Sequence, residues 1–192
     1  MKTKTLFLVF VLIIQNVHAQ TSEVTIPNGI TNFISWITSL DEQVDNIYKV
    51  QKKNKLIRQL GYVGTDLDYL AEEKRVLAAT VISQHDLGKD AISIELLQEY
   101  KESIDNLSTN ISKLIVLLND QYQIDGNEIL DAIRFDLTSR KEVELKEIAK
   151  MLTNESEFSE TLIQESAERA RLHAISAKNA VFDLRAKLLA TQ

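Results

Sequence analysis

Apolar residues recur along this chain at intervals of three and four, the period of one face of an α-helix. Phe33, Ile37, Leu40, Val44 and Ile47 form a first row. Leu97, Tyr100, Ile104, Leu107, Ile111, Leu114 and Leu118 form another, three heptads with no polar interruption. The spacing predicts one helix over 91–123, about 50 Å long, with Asp90 as its N-cap. A last row runs Ile163, Ala167, Ala170, Ala174, Ala177, Val181, Leu184 and Leu188, its small members fitted to close approach by a neighbouring helix. Leu145, Ile148 and Leu152 are out of phase with that row. Ser139 to Glu142 and Asn154 with Glu157 read as capping signals, so the region after Asn127 is expected to bend or break. No segment of comparable length alternates with period two.

The glycines punctuate these rows. Pro27 and Gly29 precede the first segment, Gly61 and Gly64 are read as separating the first from the second, Gly88 as ending the second and Gly126 as ending the third. The expected fold is all-α, an elongated bundle of three to five long amphipathic helices with coiled-coil-like packing.

Residues 1–19 read as a secretory signal peptide. Lys2 and Lys4 open it, Leu6 to Ile14 are apolar throughout, and Val17-His18-Ala19 precede a cut before Gln20. That apolar run is too short to span a bilayer, which takes roughly 20 residues. The mature chain 20–192 is expected to be one soluble helical domain outside the cytoplasm, with 20–28 a loose lead-in. Removal of Lys2 and Lys4 takes the net charge from −6 to −8. A surface this acidic disfavours a nucleic-acid partner. With no Cys in the chain, stability must come from packing, and thiol catalysis and Cys-ligated metal are excluded. An exported protein without cysteine fits a bacterial envelope better than a eukaryotic secretory route.

Site chemistry is sparse. His85 and His173 are the histidines left after residue 19, and neither follows a glutamate at the spacing of a di-iron site. His85 reads as a helix-end residue and His173 as a surface one. The chain has no nucleophile elbow, P-loop or dinucleotide fingerprint, and Glu72–Glu73 and Glu99–Glu102 read as solvated faces. No catalytic, cofactor-binding or metal-binding residue is expected. Asn106, Asn110 and Asn154 stand in Asn-x-Ser triplets that carry no weight alone.

One segment is fitted to contact. Lys49, Lys52, Lys53, Lys55 and Arg58 form a basic run without an acid, and Tyr48, Tyr62 and Tyr69 lie around it. Together they are the candidate partner-contact surface, for an acidic protein surface or for anionic lipid.

The layout resembles a known family. The Ala19-Gln20 cut, the Gln/Lys-rich stretch from Glu42 to Lys53 and the Ala/Arg/Asn-containing stretch from Ala167 to Ala180 are similar to the periplasmic helical subunits of conjugative type IV secretion systems. The Ala-Gln cut also resembles exported proteins of Bacteroidetes-type bacteria. The resemblance implies a pilus-associated, non-enzymatic component with protein partners in the cell envelope. Self-association, a periplasmic chaperone or carrier for apolar clients, and a membrane-inserting effector stay open as alternatives.

Overall fold

A computed structural model describes residues 28–40, 53–88, 93–122 and 158–190, together with 124, 126, 129, 131, 146, 148–150 and 153. Among the described residues every regular element is helical. The helices are α1 (Asn28–Leu40), α2 (Lys53–Asp86), α3 (Ile94–Tyr122) and α4 (Glu160–Ala190). The 1–19 segment, most of the lead-in, Val44, Ile47, Asp90, Ser139, Glu142, Asn154 and Glu157 lie outside these residues.

The apolar rows become the core. Phe33, Ile37 and Leu40 of α1 are buried, as are Tyr100, Ile104, Leu107, Ile111, Leu114 and Leu118 of α3. On α4 the buried residues are Ile163, Ala174, Ala177, Val181, Leu184 and Leu188, while Ala167 and Ala170 are half-buried. α2 contributes Leu56, Leu60, Val63, Leu67, Leu70, Leu77 and Val81.

The helix starts differ from the sequence reading. α3 begins at Ile94, where Leu96 N–H donates to Ser93 Oγ at 3.2 Å. α4 begins at Glu160, with Leu162 N–H donating to Ser159 Oγ at 3.3 Å. Each serine satisfies an N–H that its helix cannot pair, a contact whose loss costs about 1 kcal/mol. α1 begins at Asn28, so Gly29 lies within it, buried. α2 ends as expected, with Gly88 at φ 64° and its N–H donating to the His85 carbonyl at 2.8 Å. α3 ends at Tyr122, before Gly126.

The larger correction concerns Gly61 and Gly64. They do not separate two helices. α2 runs through both, and each lies where α4 comes close. A Cβ on Gly64 would stand 2.5 Å from Cε1 of Phe182, so the ring occupies the space a side chain would take. Arg185 lies over Gly61, and its Nε donates to the carbonyl of Ile57 at 3.2 Å. One turn on, Lys178 Nζ meets Asp68 Oδ1 at 2.6 Å. At the far end the His85 ring stacks on Phe158, centroids 3.5 Å apart. As numbers rise along α2 their partners' numbers fall along α4, so the two helices are antiparallel.

α3 packs on α2, and α1 on α4. Lys74 Nζ sits 4.7 Å from the centre of the Tyr100 ring, a cation–π contact between α2 and α3. Gly126 is also a close-packing glycine. A Cβ there would stand 2.8 Å from Trp36 Cζ2 and 3.1 Å from Ile115 Cγ2.

Alanine inside a helix is favoured over glycine by roughly 1 kcal/mol, whereas overfilling a packed contact costs about 1–3 kcal/mol. At Gly61 a new Cβ meets only the flexible Arg185 side chain at 3.4 Å. Gly61→Ala is therefore expected to raise the melting temperature, and Gly64→Ala to leave it level or lower it. In a Phe182→Ala background Gly64→Ala should become stabilising. Equal stabilisation by both alanines in the wild-type background would refute this packing role.

Candidate functional site

α2 carries the described part of the sequence-predicted contact surface. Lys53, Lys55, Arg58, Tyr62 and Tyr69 all lie on this one helix. Tyr48, Lys49 and Lys52 lie outside the described residues. Lys55, Arg58, Tyr62 and Tyr69 are exposed and fall on one face, spaced 3, 4 and 7. Lys53 is half-buried at the first position of the helix.

Two further residues complete the face: Thr65, which the sequence reading did not single out, and Glu72, which it took as part of a solvated face. Thr65 falls midway between the tyrosines and Glu72 follows Tyr69 by three, both exposed. The signal for them was the continuation of the same 3–4 spacing, obscured by treating Gly61 and Gly64 as a break. Tyr62 is 50% exposed and Tyr69 62% exposed, in the middle of a helix.

The charge at the start of α2 runs against its dipole. The helix N-terminus is a partial positive end that favours acids, yet the first turn holds no acid. Lys53 and Lys55 stand there instead, with Arg58 in the next turn. Glu72, at the other end of the face, pairs with Arg75 at 2.5 Å, and this hydrogen bond holds its carboxyl below the usual carboxylate range.

A polar cluster lies beside the face, between α2 and α3. Asn110 Nδ2 donates to Asp66 Oδ2 at 2.7 Å, and Gln59 Nε2 donates to the Asn110 carbonyl at 2.9 Å. Asn110 thus spends its amide inside the fold, so the triplet it heads is no free acceptor for a glycan in this packing. Desolvation pushes the Asp66 carboxyl above 3.8, opposed by the Asn110 hydrogen bond and by the Lys113 charge. Glu73, next along, is also raised, by burial and by the charges of Glu99 and Glu72.

His85 is at the helix end, as expected, its ring against Phe158 and its Nδ1 3.9 Å from Asp86 Oδ1, too long for a hydrogen bond. His173 is half-buried on α4 rather than on the surface. Among the described residues no group of three or more His, Asp or Glu could hold a metal ion. Among those residues, too, no helix is long and apolar enough to cross a membrane. No family profile, curated protein or solved structure matches this chain.

Two outcomes follow. Tyr62→Ser and Tyr69→Ser should each shift unfolding free energy by under about 0.5 kcal/mol, as exposed substitutions do. Tyr100→Ser, at a buried position of α3, should cost about 3 kcal/mol or more in the same urea melts. The Asp66 carboxyl is raised in the fold, so its ionisation opposes folding. That penalty is absent below pH 3.8 and complete once the pH passes the raised value. Wild type should therefore lose stability relative to Asp66→Asn as pH rises through that window. A relative gain would mean that Asn110 and Lys113 outweigh desolvation.

Proposed function

We propose that this chain is an exported, non-enzymatic helical protein that works through protein–protein contact, with the exposed face of α2 as its contact surface. The observation that carries the reading is the pair of exposed tyrosines on one helical face with Lys55 and Arg58. Tyrosine and arginine are the residue types that anchor protein interfaces, and neither tyrosine is needed by the core. The basic start of α2 supports it too, because local rules are broken most often where function requires it.

The apolar seam of α3 is buried within the chain, from Tyr100 to Leu118, and this supports a contact surface over a carrier that would offer that seam to a client. The most specific form of the contact reading comes from the resemblance in layout, a periplasmic subunit associated with a conjugation pilus. Co-purification of secretion-channel or pilus subunits with the tagged full-length protein from its host envelope would support that form, and their absence would count against it.

Hydroxyl-radical footprinting tests the contact reading itself. Tyr62 and Tyr69 should be protected in host-envelope preparations relative to dilute purified protein, while exposed Leu162 and Val116 stay equally reactive. Equal reactivity of the two tyrosines in both settings would overturn it.

A further inference from the structure

We propose that Glu73 makes the contact between α2 and α3 a pH-sensitive latch, closed more tightly once this carboxyl has taken up a proton. The latch goes beyond the contact reading and does not depend on it.

Two contacts fix where Glu73 stands. Asn110 meets Asp66, and Lys74 lies over the Tyr100 ring, so numbers rising along α2 meet numbers falling along α3. The two helices are antiparallel, and Glu73 and Glu99 each stand one residue before a member of the Lys74–Tyr100 pair. Glu73 is half-buried, and its Oε2 is enclosed by the fold and accepts no hydrogen bond. An enclosed carboxylate is tolerated where donors replace the water it gives up. Asp66, two turns earlier on α2, has such a donor in Asn110 Nδ2. Glu73 Oε2 has none.

The charges around Glu73 add to this cost. Glu99 acts on it from α3, and Glu72 from its own helix. Glu72 stays ionised because the Arg75 hydrogen bond holds its carboxyl low. From α4, Arg171 acts on Glu72 and is itself paired with Glu168. Lys74 carries its Nζ over the Tyr100 ring. Within a turn of Glu99 on α3, Glu95, Lys101 and Glu102 are all exposed. Desolvation first, then Glu99 and Glu72, raise the Glu73 carboxyl above the ordinary 4.5. A carboxyl raised by folding opposes folding when ionised. That opposition is absent below pH 4.5 and complete once the pH passes the raised value. Glu73 and Glu99 lie on opposite helices of one contact, so that contact gains when the proton is bound.

Amide exchange in the purified full chain tests the latch, with Glu73→Gln as its permanently neutral form. Near pH 7, α3 amides 100–107 should exchange about threefold or more faster in wild type than in Glu73→Gln, after correction for intrinsic rates. The ratio should fall to one by pH 4.5. Glu99→Gln should slow wild-type exchange in the same direction, by a smaller factor. Carbon-detected NMR of the unsubstituted chain gives a second readout. The Glu73 carboxyl should titrate with a midpoint above 4.5, and Glu99→Gln should lower that midpoint. A midpoint at or below 4.5, an exchange ratio that stays constant with pH, or a ratio equally large at residues 174–184 of α4 would overturn the proposal.

Discussion

The close approach of α2 and α4 at Gly64 is the constraint on which the arrangement turns. A helix can admit an aromatic ring against its backbone only where it lacks a Cβ, and Phe182 occupies that gap. With this contact fixed, the remaining pairs fall into antiparallel register. Arg185 lies over Gly61, Lys178 reaches Asp68, and the His85–Phe158 stack ties the end of α2 to the start of α4. α3 then packs on α2 at another face, held in register by Gln59, Asn110 and Asp66. The face of Tyr62 and Tyr69 is left exposed on α2.

Specific polar contacts matter here because apolar rows of this kind tolerate slippage. A heptad seam of leucines and isoleucines attracts a neighbour strongly but defines its axial position weakly. Asn110 donates to one residue of α2 and accepts from another, so a shift of one turn would break both bonds. By contrast the exposed pairs Glu72–Arg75 and Glu168–Arg171 lie within single helices and add little to stability.

Much of the fold was legible in the sequence because burial follows period. The rows ending at Leu118 and Leu188 are buried largely as their spacing predicts, and Gly88 ends α2 as its position implies. Gly61 and Gly64 were misread because glycine serves two opposite purposes, ending a helix and letting another element touch it. Only the distant Phe182 and Arg185 decide between them. Ser93 and Ser159 were missed as caps because serine is common and a cap shows itself only through the N–H it accepts. At the candidate site, the grouping of Lys55, Arg58, Tyr62 and Tyr69 was legible in composition. Their common face was not, since the supposed break hid the spacing that joins them to Thr65 and Glu72.

α2 is one helix through Gly61 and Gly64, with the Phe182 ring laid on Gly64. Backbone NMR measures this directly. Helical carbon shifts should run without interruption from Leu56 to Leu70, with the Hα protons of Gly64 displaced upfield by the ring current of Phe182. Coil-like shifts at positions 61–64, or Gly64 Hα protons at ordinary values that do not respond to Phe182→Ala, would contradict it.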